Sequence, residues 1–205
     1  MFEPDKLKEF DAVVMVNTTG ELFNDQPEDR KKLLRDSFLK FVPEDGKGVV
    51  GFHAASDCSY QWPEYGQMTG GYFNGHPRGK VTVKLDDSSH PANACFKGES
   101  FEIDDEIYTF KDPWSRERLR VLASVDVHKS GITSGENRDD HDYDGISWVR
   151  NYGKGRVFYC ALGHREETYW NPLILRALPG RHPVRDRRPA SRRHAQREGE
   201  AVSPA

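Results

Sequence analysis

The stretch Gly48-Val-Val-Gly-Phe-His-Ala-Ala-Ser-Asp57 decides the fold, and the rest of the chain is interpreted as support or partner for it. Its β-branched Val49 and Val50 predict a short buried strand that runs straight into a tight turn. His53 falls where the chain must bend, and Asp57 follows close behind. Open α/β sheets place their chemistry at such turns, beyond the carboxyl ends of the strands. We therefore expect a functional site here.

The length of 205 residues suits one domain with a substantial core. No run of about 18 apolar residues occurs, so neither a membrane span nor a membrane partner is expected. The N-terminus lacks the basic and apolar regions of a signal peptide. Three cysteines without metal-type spacing fit a reducing compartment better than a disulfide scaffold. These features predict a cytoplasmic protein.

The net charge of −3 conceals an asymmetry between the body of the chain and its C-terminal tail. From Arg176 onward eight arginines stand against three acids, so the preceding body carries a net charge of −8. An acidic body argues against nucleic acid as its partner. Residues 179–205 are rich in Arg and Pro and show no apolar periodicity. We predict a folded domain over residues 1–178 and a disordered tail over residues 179–205.

Of the residues before the quoted stretch, one segment is predicted to form a strand and another a helix. Asp11–Asn17 is a continuous apolar run closed by polar residues, the pattern of a strand buried on both faces. Apolar residues at helical spacing predict an amphipathic helix over residues 27–42, with Asp25 and Glu28 resembling a capping box. This strand–helix–strand order implies a parallel pair of strands joined by a right-handed crossover.

The remainder of the chain alternates short strands with irregular segments. Further strands are predicted at Val81–Leu85, Phe101–Ile103, Glu106–Tyr108, Arg118–Val125, Ile146–Val149 and Arg156–Leu162. Tyr152–Gly155 is typical of a hairpin turn, Pro63 begins a short helix, and a last helix covers Leu173–Leu178. Residues 129–145 are predicted to form an exposed loop.

Two histidines lie just after predicted strands, His53 after one and His164 after another. Since the carboxyl ends of parallel strands gather at one edge of a sheet, these imidazoles could converge. Asp57 lies near His53, and Glu166 lies within reach of His164. Two histidines with one or two carboxylates can bind a divalent metal such as zinc, or can form a general acid–base set. The alternative is that each histidine only caps a turn or bonds a backbone carbonyl.

Aromatic residues and a third histidine follow the turn. Trp62 and Tyr72 are the better candidates among these aromatics for lining a sugar pocket, although aromatics at this density also fill cores. His76, in a loop rich in glycine and aromatics, is a candidate third pocket residue. The adjacent acids Asp105 and Glu106 are expected at a solvated strand edge.

Several motifs together resemble the trehalose-utilisation (ThuA-like) family over residues 7–178. They are Gly51–Asp57, Trp62–Tyr65, Gly70–Phe73, His76–Pro77, Asp105–Tyr108, Gly155–Tyr159 and Leu162–His164, in order and with family-like spacing. The resemblance implies the flavodoxin-like three-layer α/β sandwich of the class I glutamine amidotransferases. Family members usually begin with one more strand and helix before the segment equivalent to Asp11–Asn17. We therefore expect the N-terminal strand and helix of that fold to be lacking here.

The resemblance also bears on the chemistry of the turn. In glutamine amidotransferases of this fold, the position that matches His53 carries a nucleophilic cysteine, and a His-x-Glu pair follows a later strand. Here His164-Arg-Glu166 keeps the His-x-Glu form. The resemblance therefore implies the fold without glutaminase activity, because an imidazole cannot readily form the thioester intermediate.

From these observations we expect a protein that binds or transforms a carbohydrate, trehalose or a related keto-sugar, as a hydrolase or isomerase. His164 would act as general acid–base, Glu166 would orient it, and His53 would contact the ligand or a metal. The expected substrate-binding residues are Asp57, Trp62, Tyr72 and His76. The alternatives are a non-catalytic accessory or binding domain, and a truncated, inactive fragment. An open flank on the sheet would also offer a route to homo-oligomers.

Overall fold

A seven-stranded mixed sheet forms the centre of the protein, in a computed structural model that describes residues 1–76, 78–131 and 145–177. The strands in the described residues are β1 (Ala12–Val16), β2 (Gly48–Phe52), β3 (Tyr72–Gly75), β4 (Arg78–Leu85), β5 (Phe101–Glu106), β6 (Thr109–Lys111), β7 (Arg120–Val125), β8 (Gly145–Tyr152) and β9 (Gly155–Cys160). The helices are α1 (Pro4–Leu7), α2 (Glu28–Phe41), α3 (Pro63–Thr69), α4 (Glu166–Trp170) and α5 (Pro172–Ala177). Short 3₁₀ helices cover His53–Ser56 and Pro91–Phe96.

The strand order of the large sheet is β1-β2-β9-β8-β7-β4-β5. β1, β2 and β9 are parallel, and the other neighbours pair antiparallel. The predicted parallel pair around α2 and the hairpin at Tyr152–Gly155 are thus confirmed. Phe52 at the end of β2 pairs with Cys160 at the end of β9, so the residues after both strands emerge at one edge of the sheet. β3 and β6 form a separate antiparallel pair.

Apolar side chains pack on both faces of the sheet, as an α/β sandwich requires. Alternate residues of β9 point to opposite faces. Tyr159 belongs to a cluster with Phe38 of α2, whereas Cys160 belongs to a second cluster with Ile174 of α5. Burying one such Phe or Ile contributes about 1.5–3 kcal/mol. The architecture is a flavodoxin-like α/β fold with helices on both sides of the sheet, as predicted.

Helix α2 forms because apolar residues recur at helical spacing. Leu34, Phe38 and Phe41 are buried on one face, and most of the other positions are charged. The helix therefore lies within a residue of its predicted bounds. The predicted capping box is wrong: Pro27 is the N-cap residue, its carbonyl accepts from the Lys31 N–H at 2.8 Å, and no side chain caps the helix. Proline suits the helix start because its missing N–H would have had no intrahelical partner there.

β1 is confirmed as a strand, but the prediction that both of its faces are buried is wrong. Val13 and Met15 are buried, whereas Val14 and Val16 are 57% and 51% exposed. β1 is the outermost strand of the sheet, and within the described ranges no element covers its second face. An apolar run shows which residues prefer burial, and it does not show whether a layer is there to bury them.

Some predicted features fall wholly or partly outside the described residues. The loop predicted at 129–145 is described only at its two ends, and the tail predicted at 179–205 lies outside altogether. The last predicted helix is confirmed as α5 up to Ala177. Across the parts of the chain that are described, no helix has both the length and the apolar character needed to cross a membrane.

Candidate functional site

The turn after β2 holds His53 in a strained backbone conformation. β2 ends at Phe52, and His53 adopts a φ of +46° at the start of a 3₁₀ helix. For a residue with a side chain, this left-handed conformation costs about 1–2 kcal/mol, and it persists only where the surrounding structure imposes it. The Tyr159 hydroxyl of β9 donates to the His53 carbonyl at 2.6 Å and lies 2.7 Å from Ser56 Oγ. β9 thus fixes the turn, and the strain marks His53 as a candidate functional residue.

The His53 imidazole is buried and held in one tautomer. Its side chain is only 4% exposed, and its Nδ1 lies 2.7 Å from the Ala161 carbonyl oxygen. A carbonyl oxygen only accepts, so Nδ1 carries the hydrogen and Nε2 keeps its lone pair. Burial lowers the pKa of His53, although the bond to Ala161 opposes that effect. His53 is therefore a neutral imidazole at neutral pH, with an unprotonated Nε2.

His164 follows β9 in a turn that a buried carboxylate holds. Asp105 at the end of β5 is 2% exposed and accepts from the backbone N–H groups of Gly163 at 2.9 Å, His164 at 3.2 Å and Arg165 at 3.3 Å. The Thr168 hydroxyl donates to the same carboxylate at 2.9 Å. The expected solvated position for Asp105 is therefore wrong. Its burial is tolerated because so many donors satisfy it.

Glu106 is the carboxylate that joins the histidines, and its expected position at a solvated strand edge is also wrong. Its side chain is 7% exposed, with Oε2 lying 3.5 Å from His53 Nε2 and 3.2 Å from His164 Nδ1. Its Oε1 lies 3.5 Å from Nε2 of His76, whose side chain is 27% exposed. The His53 and His164 ring centroids are 5.5 Å apart, so the structure brings the imidazoles together as the strand-end argument requires. We call His53, His76, Glu106 and His164 the His/Glu cluster.

Aromatic side chains enclose one side of the His/Glu cluster. The Tyr108 ring centroid lies 4.2 Å from that of His53 and 4.3 Å from that of Phe73. Phe73 in β3 precedes His76, and Tyr108 immediately precedes β6, so the small β3–β6 sheet positions all three rings. Tyr60 is 40% exposed, and its hydroxyl donates to Asp57 at 2.6 Å and lies 3.2 Å from the Phe73 carbonyl oxygen. The enclosure is thus apolar inside and polar at its rim.

Glu166 does not lie in the cluster, contrary to the role predicted for it. It is exposed in the first turn of α4, and its carboxylate makes no hydrogen bond or ion pair with any described residue. Glu106 stands beside His164 instead. The adjacent acids before Ile107 and Tyr108 were visible in the sequence, but nothing local showed that the end of β5 reaches the ends of β2 and β9.

The prediction that Trp62 and Tyr72 line a sugar pocket is wrong, because both side chains belong to the core. Trp62 is 4% exposed, and the Arg35 guanidinium lies 4.9 Å from the centroid of its ring. Tyr72 is 8% exposed, and its hydroxyl donates to the Trp62 carbonyl at 2.6 Å. Asp57 is half-buried at the end of the 3₁₀ helix and bonds Tyr60 beside the enclosure. Of the predicted sugar-binding residues, only Asp57 and His76 therefore lie near the cluster.

The cysteines near this edge are not activated nucleophiles. Burial raises the pKa of the Cys58 thiol, which lies 3.3 Å from Ser59 Oγ. Burial also raises the pKa of Cys160 to about 12, so both side chains stay protonated at neutral pH. The groups with chemistry to offer at this edge are instead imidazole and carboxylate. Imidazoles and carboxylates can transfer protons. The ligand atoms of His53, Glu106 and His164 also lie within 4.8 Å of one another, close enough to share a metal ion.

The comparisons with known proteins agree with this fold. The family model described as trehalose utilisation (ThuA) matches residues 1–180. The structure is similar to the crystal structure of a ThuA-like protein from Bacteroides uniformis ATCC 8492, with a TM-score of 0.63 and 26% identity over 86% of this chain and 71% of that chain. It is also similar to a ThuA-like protein from Parabacteroides merdae ATCC 43184, with a TM-score of 0.61 and 19% identity over 83% of this chain and 70% of that chain.

A third similar structure is the cytoplasmic protein STM3548 from Salmonella typhimurium. Its TM-score is 0.57, with 11% identity over 86% of this chain and 72% of that chain. At this identity the similarity shows the fold alone. No curated protein matches the sequence significantly.

Proposed function

The chain belongs to the trehalose-utilisation (ThuA) family, and from that premise we propose that it binds and transforms a carbohydrate at the His/Glu cluster. The substrate class is trehalose or a related keto-sugar, and the reaction is a hydrolysis or isomerisation that depends on proton transfer. The observation that carries the proposal is the position of Glu106, whose carboxylate lies within 3.5 Å of nitrogens from three histidines. Three imidazoles around one buried carboxylate can both donate and accept protons.

His164 is the proton-transferring group in this proposal. Its side chain is 46% exposed, so a ligand can reach it, and Glu106 Oε2 engages its Nδ1 at 3.2 Å. That contact leaves Nε2 as the nitrogen that can give or take a proton on the substrate. Glu106 takes over the orienting role that the sequence had suggested for Glu166. General acid–base assistance of this kind contributes about 10²–10⁴-fold to a rate.

His53 and His76 supply the complementary contacts. His53 is neutral, buried and fixed by Ala161. Its Nε2 can therefore accept a hydrogen bond from a sugar hydroxyl or take a proton from it. His76 is 27% exposed and approaches the second oxygen of Glu106. A keto-sugar suits this pair, because a proton next to the carbonyl can be taken by one group while a second group donates a hydrogen bond to the carbonyl oxygen.

The aromatic residue best suited to pack against a sugar ring is Tyr60. Its ring is 40% exposed, whereas Trp62 and Tyr72 are enclosed in the core. Its hydroxyl bonds Asp57 and the Phe73 carbonyl, which hold the ring close to the enclosure around the cluster. Aromatic faces of this kind combine an apolar surface with a polar edge, which suits a pyranose ring.

A binding function without turnover is the second candidate. It is favoured by the burial of Glu106, which is 7% exposed and therefore shielded from direct contact with a large substrate. Neither candidate function includes glutaminase activity. His53 stands at the nucleophile position of the turn after β2, and the thiols of Cys58 and Cys160 are buried and protonated. We propose a cytoplasmic location as well, and the free thiols of Cys58, Cys95 and Cys160 are compatible with such a reducing compartment.

Titration calorimetry with trehalose and its keto derivatives, combined with a turnover assay by NMR, tests the proposal. We expect binding to the unmodified protein, with His164→Ala abolishing turnover and His53→Ala weakening binding. Glu166→Gln is the matched control and should behave like the unmodified protein. Binding without turnover would establish the second candidate. If His53→Ala and His164→Ala both left binding and turnover unchanged, this cluster would not be the site.

A further inference from the structure

We propose that the Nε2 of His53, the Nδ1 of His164 and the carboxylate of Glu106 bind a divalent transition-metal ion of the zinc class. A further coordination position is left for water or for a sugar oxygen. The inference rests on the same site as the proposed function and names a cofactor for it. With the metal bound, His164 and Glu106 would be ligands, and His164 would no longer be the proton-transferring base. Metal binding can nevertheless be measured without any turnover, so the two can fail separately.

The spacing of the ligand atoms fits one ion. In a tetrahedral site with metal–ligand bonds of about 2.1 Å, neighbouring ligand atoms lie about 3.4 Å apart. Glu106 Oε2 lies 3.5 Å from His53 Nε2 and 3.2 Å from His164 Nδ1. All three ligand atoms lie within 4.8 Å of one another. Small side-chain adjustments would therefore complete the coordination without any movement of the strands.

The tautomer of His53 is the one that a metal ligand needs. A metal-binding imidazole typically donates its second ring N–H to a carbonyl or carboxylate, which turns the other nitrogen toward the ion. The Nδ1–H of His53 is given to the Ala161 carbonyl at 2.7 Å, and Nε2 faces Glu106 at 3.5 Å. Two groups that both present lone pairs at this distance attract a proton or a cation between them.

The three ligands come from rigid parts of the fold, and one side of the site is open. His53 follows β2 in the turn fixed by Tyr159, and Glu106 ends β5. His164 lies in the turn fixed by Asp105, and its side chain is 46% exposed. Sites with two histidines, one carboxylate and an open position are typical of catalytic zinc. His76 approaches the other oxygen of Glu106 at 3.5 Å and lies outside the ligand set.

The donor types restrict the metal. Imidazole nitrogen with a single carboxylate suits zinc, cobalt, nickel, copper and iron, whereas calcium and magnesium prefer sites built from oxygen alone. Zn²⁺ and Co²⁺ are therefore the probes. Co²⁺ reports its coordination through visible absorption, and it normally occupies zinc sites without changing their ligands.

The experiment measures metal binding by the full chain after treatment with a chelator. We expect the unmodified protein to bind one Zn²⁺ per chain by calorimetry and elemental analysis, and to melt at a higher temperature with the metal. Co²⁺ should give the visible spectrum of a four- or five-coordinate site. His53→Ala, Glu106→Gln and His164→Ala should each weaken binding by about 100-fold or more, since each removes a direct ligand.

The controls separate a built site from adventitious binding. His128→Ala removes an exposed histidine elsewhere, Glu166→Gln removes the carboxylate near His164 that lies outside the cluster, and His76→Ala tests the boundary of the ligand set. All three should bind Zn²⁺ like the unmodified protein. Loss of the metal in His76→Ala would overturn the three-ligand assignment. Circular dichroism shows whether each variant folds. His164 is exposed, so His164→Ala is the ligand variant that should disturb folding least.

The outcomes distinguish this inference from the proposed function. Equal Zn²⁺ binding by the unmodified protein and the three ligand variants would overturn the metal site, as would sugar binding and turnover in protein that takes up no metal. One Zn²⁺ per chain that depends on His53, Glu106 and His164 would support it, even if no carbohydrate were bound. In that last case the metal site would stand and the sugar function would fall.

Discussion

The backbone N–H of Gly163 donates a hydrogen bond of 2.9 Å to Oδ2 of Asp105. This bond ties the turn that carries His164 to the end of β5, where Glu106 immediately follows Asp105. Gly163 has a φ of +135°, which a residue with a side chain rarely adopts, so the turn needs both the glycine and its anchor. Of these two adjacent acids, Asp105 anchors the turn that carries His164, and Glu106 is the carboxylate at the centre of the His/Glu cluster.

Asp105→Asn should destabilise the protein by about 2–4 kcal/mol, because an amide nitrogen would face backbone N–H donors in a buried position. Urea unfolding followed by circular dichroism measures the change. Asp104→Asn is the matched control, since Asp104 is 56% exposed and pairs with Arg165 at the surface. Its cost should stay below about 1 kcal/mol. Equal costs for the two variants would contradict the anchoring role of Asp105.

Tyr159→Phe should loosen the turn at His53. The change removes a buried hydroxyl that donates to the His53 carbonyl at 2.6 Å and contacts Ser56 Oγ at 2.7 Å. We expect a loss of about 1–3 kcal/mol in the free energy of unfolding. Thermal and urea unfolding measure that loss, with Tyr152→Phe as the control because Tyr152 is half-buried and packs against Arg150. A loss no larger than that of the control would show that Tyr159 does not hold the turn.

Glu106→Gln should lower carbohydrate turnover by about 100-fold or more, within the range that general acid–base catalysis contributes. The substitution keeps the shape of the side chain but removes the charge that orients His164 at 3.2 Å. Glu166→Gln should change turnover by less than about 2-fold, because surface changes away from a site are usually small in effect. Steady-state rates of the two variants decide between Glu106 and Glu166. The reverse ranking would restore the role that the sequence first suggested for Glu166.

Trp62→Ala should lower the free energy of unfolding without removing a contact to the sugar. Trp62 is 4% exposed among core aromatics, and its truncation should cost about 3–5 kcal/mol. The milder Trp62→Phe keeps most of the packing and should bind sugar like the unmodified protein. Tyr60→Ala should do the opposite, weakening sugar binding with little change in melting temperature. A weaker sugar affinity in folded Trp62→Phe would return Trp62 to the binding site.

The sequence predicted the parts of the fold that depend on local pattern. Helical spacing marked α2, and the polar turns after β2 and β9 pointed to His53 and His164, because parallel strands end at one edge. Glu106 could not be found in this way, since β5 pairs antiparallel with β4 at the far side of the sheet. Trp62 and Tyr72 were misplaced for another reason: the same aromatic residues line sugar sites and fill cores. Only tertiary contacts separate those two uses.

The position of β9 has a consequence for how the protein is made. β9 is the last of the described strands, yet it lies between β2 and β8 in the sheet. It provides Tyr159 and is directly followed by Ala161, and these two residues hold His53 in place. Chains emerge from the ribosome with their N-terminal part first, and pairings between distant segments form slowly. The His/Glu cluster cannot assemble until β9 has inserted, so a ligand captured there reports that the sheet has folded around it.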